Sequence, residues 1–149
     1  MANADSTSRN MRSELIDTHE AKQRLLAILD FDGVPVSDRL DYLMRICNLT
    51  RYLAGRALNG YLPRSTLKGC NIAETLDVDM VWFVFGRIER WHPRTFRIHI
   101  QQVKGYPKEA TDQIIHMFVG AIAGHNRSRN LLELVIAGNM TFYGASRLM

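Results

Sequence analysis

Cysteine is scarce in this chain: Cys47 and Cys70 are the two among 149 residues, and they form neither a CxxC pair nor a disulfide framework. That argues against a disulfide-stapled miniprotein. Prolines number four and glycines ten, with no period and no clustering, so a collagen-like repeat and a low-complexity linker are also excluded. Long hydrophobic runs are missing as well. The longest apolar stretches, such as Met80 to Phe85, fall far short of the ~20 residues that cross a bilayer. The start has no basic region followed by an apolar run, and the expectation is of a cytoplasmic protein without a membrane segment. Five histidines (His19, His92, His99, His116 and His125) stand at no metal-ligand spacing, and GxSxG, P-loop and dinucleotide fingerprints do not occur. The expectation is of no metal, no cofactor and no enzymatic activity.

What is present is an ordinary globular composition, 46% hydrophobic and 23% charged. The length suits one domain, or a small domain carrying an appended oligomerisation segment. Net charge is +4, which mildly favours an anionic partner, and its distribution says more than its total. Residues 20–86 hold eight basic and eight acidic side chains, whereas residues 87–149 hold nine basic and four acidic. Within the neutral section, Arg39, Arg45, Arg51, Arg56, Arg64 and Lys68 stand against Asp41 alone between positions 39 and 68. A basic face on a neutral domain, or a plainly solvated surface, would both read this way.

Residues 1–19 are polar and read as a flexible tail. From Glu20, the apolar residues Ala21, Leu25, Leu26, Ile28 and Leu29 recur at helical spacing until Gly33 and Pro35 interrupt. Ser37 offers a hydroxyl N-cap to a second helix through Leu40, Leu43, Met44 and Ile46, which closes at Asn48. Thr50 is the N-cap candidate for a third, about two turns long, ended by Asn59 and Gly60. A fourth places Leu67, Cys70, Ile72, Ala73 and Leu76 on one face, and a short apolar turn ends at Gly86. Residues 20–86 thus read as five short helices in a compact bundle. Both cysteines point inward as small buried hydrophobes. Trp82 reads as core, and Trp91 as a packing or interface residue.

Beyond Gly86, Phe96, Ile98 and Ile100 alternate with Arg97, His99 and Gln101, as in a strand of about seven residues. A helix competes, because Ile88, Trp91, Thr95 and Ile98 are near helical spacing, with Pro93 against one continuous helix. From Pro107 a firmer helix carries Ile114, Ile115, Phe118, Val119 and Ile122 on one side, and LLELVIAG follows as another. The fold class is mainly α: a five-helix domain over residues 20–86, then a small, mostly helical region over residues 87–149 with one short strand as an alternative.

Two short helices joined by a tight turn leave the second free to project, the geometry that enters a major groove about 12 Å wide. The second helix here carries Ala54 and Ala57 where it must pack, with Arg51, Tyr52, Gly55 and Arg56 on other faces. The segment from Leu43 and Met44, through Asn48-Leu49-Thr50, to Asn59-Gly60, Pro63, Leu67, Ile72-Ala73, Leu76, Val78, Trp82 and Gly86 resembles the lambda-repressor-like helix-turn-helix domains. These include phage repressors, Cro proteins and bacterial regulators of the xenobiotic-response-element type. IAETLDVDMVWFVFG keeps the spacings of that family's closing apolar helix, valine, tryptophan and glycine.

The resemblance implies a sequence-specific regulator of transcription that binds double-stranded DNA, with roles assigned by position. Arg51, Tyr52, Leu53 and Arg56 would contact bases, the arginines because a planar fork donates two hydrogen bonds to guanine O6 and N7. Arg39, Thr50, Asn59, Tyr61, Arg64 and Lys68 would meet the DNA backbone, and Arg45 is a weaker candidate. Three departures stand out. Leu53 occupies a side that is commonly polar and fits either a thymine methyl or a protein partner; Gly55 lies inside the helix at a cost of about 1 kcal/mol relative to alanine; and Leu40 stands where glutamine is usual.

The last two helices, with Ile114, Ile115, Phe118, Ile122, Leu131, Leu132 and Val135, carry more apolar surface than a two-helix tail buries alone. Either a second copy covers them or they fold back on the first domain. A homodimer has functional logic, because two recognition helices roughly 34 Å apart read a palindromic operator. Residues 87–149 are too few for the self-cleaving protease domain of some phage repressors. The expectation is a repressor occluding a promoter; the alternative is a protein-binding antirepressor or sequestering module that reuses the same fold. Arg87, Arg90, Arg94 and Arg97 would add phosphate contacts or hold an acidic partner.

Overall fold

The computed structural model describes residues 16–62, 72–122 and 124, and among these the chain is mainly helical with no strand. It divides into two compact units, residues 1–92 and 93–149.

In the first unit, Asp17 opens helix α1 (Thr18–Phe31) by accepting from the backbone N–H groups of His19 and Glu20, at 3.0 and 3.1 Å. Such a cap contributes about 1 kcal/mol. Thr18 and His19, expected in the polar tail, therefore belong to the helix, because the aspartate satisfies N–H groups that otherwise go unpaired. Ala21, Leu25, Ile28 and Leu29 face inward and are fully buried, with Arg24 among them.

A 3-10 turn (Val36–Asp38) then runs directly into α2 (Arg39–Ile46). Ser37 lies inside that turn and is not the N-cap; Arg39 N–H already has Val36 O as its acceptor, so no hydroxyl is needed there. Cys47 to Thr50 separate α2 from α3 (Arg51–Leu58), with Asn48 left-handed at φ +53. Asparagine tolerates that region better than most residues. Thr50 caps α3 as its sequence position suggests, its Oγ1 accepting from Leu53 N–H at 3.2 Å. Ala54 and Ala57 are buried where α3 packs on α2 and α1, and their small side chains allow the close approach.

Helices α1, α2 and α3 end with the same closure. The residue two beyond the cap returns its N–H to a carbonyl five positions back, as Val34 to Leu29 O, Leu49 to Met44 O and Tyr61 to Arg56 O. At the end of α3 the left-handed residue is Gly60, φ +91, and a Cβ built there would collide with the backbone carbonyl of Thr18. Gly60→Ala is expected to destabilise by at least about 2 kcal/mol, combining the left-handed penalty with a backbone collision that no side-chain motion relieves. Urea unfolding checks this, and a loss under about 0.5 kcal/mol would show that α1 and α3 can separate freely.

Residues 72–75 are helical, and Ile72, Ala73, Leu76 and Val78 are buried. Asp79 then caps α4 (Met80–Phe85) by accepting from Trp82 N–H at 3.2 Å, and Gly86, at φ +79, closes it. Trp82 and Phe83 are fully buried, so the tryptophan is core as expected. The part of the fourth expected helix that carries Leu67 and Cys70 lies outside the described residues.

In the second unit, α5 (Pro93–Ile98) continues into a π-helical turn (His99–Val103), and α6 (Lys108–Ile122) packs back on both. The short strand is thereby corrected. A single strand with no neighbour leaves every ladder hydrogen bond unmade, whereas a helical turn satisfies them locally. Proline is well placed as the first residue of α5, where its missing N–H costs nothing. Phe96, Ile98 and Ile100 alternate in sequence because more than one side of this helix is buried. The rings of Phe96 and Phe118 meet at 4.4 Å, tilted by 51°, and Arg97 pairs with Asp112 at 2.7 Å. LLELVIAG, with Leu131, Leu132 and Val135, lies outside the described residues.

Candidate nucleic-acid interface

At 3.6 residues per turn, Arg51, Gly55, Tyr52 and Arg56 share an arc of about 140° on α3, opposite Ala54 and Ala57. Burial follows this division. Arg51 and Arg56 are exposed and Tyr52 is 70% exposed, while both alanines are buried and Leu53 is intermediate. No acidic residue lies on α3, so the outward arc carries positive charge only. The Arg56 guanidinium sits over the Tyr61 ring, 4.4 Å from its centroid, and 5.7 Å from that of Tyr52. Asn59 follows as the C-cap, its Nδ2 donating to Gly55 O at 3.1 Å. Beside this end of the helix, Thr18, Leu53, Arg56 and Tyr61 line a hollow of about 330 Å³.

Arg39 goes elsewhere. It is 8% exposed, with Nε donating to Val34 O at 3.0 Å and Nη2 paired with Asp30 Oδ1. The guanidinium thus ties the end of α1 to the start of α2, and the expected phosphate contact is corrected to a structural role. Arg64 and Lys68 lie outside the described residues. Arg45 is exposed at the edge of a second hollow of about 750 Å³, which Pro35, Asp41, Tyr42 and Leu49 also line.

No family model, curated protein or solved structure matches the chain.

Three of the described arginines beyond Gly86 pair within the molecule. Arg87 pairs with Glu89 at 3.2 Å and lies near the Phe85 ring, Arg90 pairs with the buried Asp79, and Arg97 pairs with Asp112. Of the residues expected to oligomerise, Ile114 is fully buried in the single chain and belongs to its core. Ile115 and Phe118 are intermediate, and the Ile122 side chain lies outside the described residues. Val119 is an exposed apolar residue on the same helix.

Sequence reasoning missed Arg24. It is 5% exposed, and its Nε and Nη2 each donate at 2.9 Å to Phe83 O and Val84 O at the end of α4. Burial lowers its pKa, an effect that Glu20 and Asp17 oppose. A helical apolar pattern with one arginine on its inner face was the available signal. Asp79 was also missed; its spacing of three residues from Trp82 N–H was the sign of a cap.

Cys47 is buried as expected, and burial pushes its thiol up to about 11. No group of three His, Cys, Asp or Glu side chains among the described residues is placed to hold a metal. Because the folded thiol stays protonated while the unfolded one ionises above about pH 8.5–9, Cys47 favours unfolding as pH rises from there to about 11. The stability lost over that window is expected to be roughly 1–3 kcal/mol greater in wild type than in Cys47→Ala. Urea titrations at pH 8 and 11 measure the difference; parallel pH profiles would mean that the thiol is solvated.

Proposed function

We propose that the chain is a sequence-specific double-stranded DNA-binding transcriptional regulator, a repressor on the lambda-repressor-like helix-turn-helix plan, with α3 as its recognition helix. The observation that carries this is the division of α3, capped after a four-residue turn, into a buried alanine side and an outward Arg51-Tyr52-Arg56 side. Bidentate arginine is the commonest specific contact to guanine, and α3 presents two arginines within a turn and a half. A major groove admits such a helix when the helices behind it stay clear of the backbone, which short α2 and α3 permit. Thr50 and Asn59, at the two ends of α3, would meet phosphates on either side of the groove.

The regulator acts as a homodimer on a palindromic operator, with residues 87–149 supplying self-association. Ile115, Phe118 and Val119 are the described α6 residues available for that contact.

Selection from a random duplex library, with sedimentation to determine oligomeric state, tests both parts. Enrichment of an inverted repeat with half-sites about one helical turn apart, by a dimer, is the expected result. A chain that enriches nothing and binds duplex no better than Arg51→Ala/Arg56→Ala is not a DNA reader. That outcome favours the protein-binding reading, for which the exposed Tyr52 beside Leu53 supplies an aromatic and aliphatic contact.

A further inference from the structure

We infer that Tyr61 is a positioning residue for base readout: its ring, brought back over α3 by the helix-ending turn at Gly60, holds the Arg56 guanidinium in reading orientation. This rests on the DNA-reading role of α3 proposed above, and it replaces the phosphate contact that the family resemblance assigns to Tyr61.

The geometry originates in the backbone. Gly60 N–H donates to Ala57 O and Tyr61 N–H to Arg56 O, both at 2.9 Å, so the chain reverses and residue 61 lies beside residue 56. A side-chain contact between these two positions commonly accompanies this turn and is usually aliphatic. Here it is a cation on an aromatic ring, with the guanidinium carbon 4.4 Å from the ring centroid. Tyr52, one turn before Arg56 on the same helix, places a second ring at 5.7 Å.

The chemistry fits readout because the two interactions use different parts of the guanidinium. A ring attracts the planar cation through its face, whereas all five N–H donors point outward in the plane. Arg56 can therefore stay on Tyr61 while its edge donates to guanine O6 and N7. A free arginine loses rotamer freedom when it binds a base, and one already held on a ring has lost part of that freedom beforehand. Tyr61 is 49% exposed, so its ring contributes little to the core and can be changed without unfolding the domain.

The test compares full-length wild type, Tyr61→Leu, Tyr61→Phe and Arg56→Ala, by duplex-library selection and by NMR of the Arg56 Nε–Hε group without DNA. In wild type and Tyr61→Phe the Hε resonance is expected upfield from ring current, returning downfield in Tyr61→Leu. Base preference is expected to weaken about two- to fivefold in Tyr61→Leu, the range given by an exposed cation–π contact. The weakening falls at the one position per half-site that Arg56→Ala also flattens, with salt dependence unchanged. Tyr61→Phe keeps the wild-type profile, since the ring and not the hydroxyl acts. A Tyr61→Phe variant that binds all sequences more weakly, with base preferences intact, would return Tyr61 to a phosphate contact and overturn the inference. So would a Tyr61→Leu profile identical to wild type, or an Hε resonance that Tyr61→Leu does not move. Wild type enriching no sequence overturns the DNA reading itself and the readout role with it, whatever the Hε shift shows about the contact.

Discussion

Arg24→Met is expected to destabilise the first unit by about 2–4 kcal/mol, because it strands two buried carbonyls while preserving most of the side-chain volume. Arg24 reaches from the middle of α1 to Phe83 O and Val84 O, which lie at the end of a six-residue helix. The last carbonyls of any helix have no partner within it, and these two are turned into the protein where water cannot serve them. A hydrogen bond to a charged donor contributes roughly 1.5–3 kcal/mol, and the positive charge also suits the negative end of α4. Methionine escapes the cost of burying a cation, which keeps the net loss below the sum of both bonds. Lysine in the same place is expected to recover only part, since one ammonium lacks the fork that addresses both oxygens. Urea unfolding should show a lower midpoint with unchanged slope. A loss under about 0.5 kcal/mol would mean that the carbonyls find other partners. Gly86 belongs to the same arrangement: a Cβ there would come within 2.7 Å of Arg24 Nη1.

Arg51→Ala/Arg56→Ala is expected to reduce the ratio of specific to non-specific duplex binding by roughly 30-fold to 10⁴-fold, the range of two bidentate base contacts at 1–3 kcal/mol each. Both arginines lie on the exposed arc of α3, away from the buried alanines, so the substitutions should leave the fold intact. The salt slope separates reading from mere attraction. Base contacts leave it nearly unchanged, whereas each lost phosphate contact lowers it by about 0.9. A uniform loss over all sequences with a shallower slope would assign both residues to the backbone and move the reading surface elsewhere. Alanine at both positions also raises helix propensity slightly, which makes an unfolding artefact an implausible source of any loss.

Four of the helix ends were legible because they depend on neighbours in sequence. Thr50, Asn48, Gly60 and Gly86 act over three to five residues, and their chemistry can be read directly from residue type. Ser37 was misread for a related reason: a 3-10 turn can replace a hydroxyl with backbone carbonyls, and residue type does not reveal that choice. Among the basic residues, Arg51 and Arg39 look alike in sequence, yet one is exposed on α3 and the other is held between Asp30 and Val34 O. Charge pattern shows how many cations a segment has and not which acceptors its folding brings near. Ile114 illustrates the same limit for apolar residues, because the amphipathic pattern of α6 cannot say whether the covering surface belongs to the same chain.

Hydrophobic pattern and turn residues alone gave a mainly helical chain, the helix from Glu20 to the break at Gly33, the tight turn at Asn48-Leu49-Thr50, the alanine side of α3 and the inward Trp82. These follow from hydrophobic periodicity and local hydrogen bonding, which act within a few residues. Tertiary packing settled that Arg24 closes α4, that Arg39 is withdrawn from the surface, that residues 96–103 are helical, and that Tyr61 lies on Arg56. Each of these depends on where the chain folds back. Buried polar groups take whichever partners packing supplies, and for Arg24 those partners stand 59 and 60 residues away.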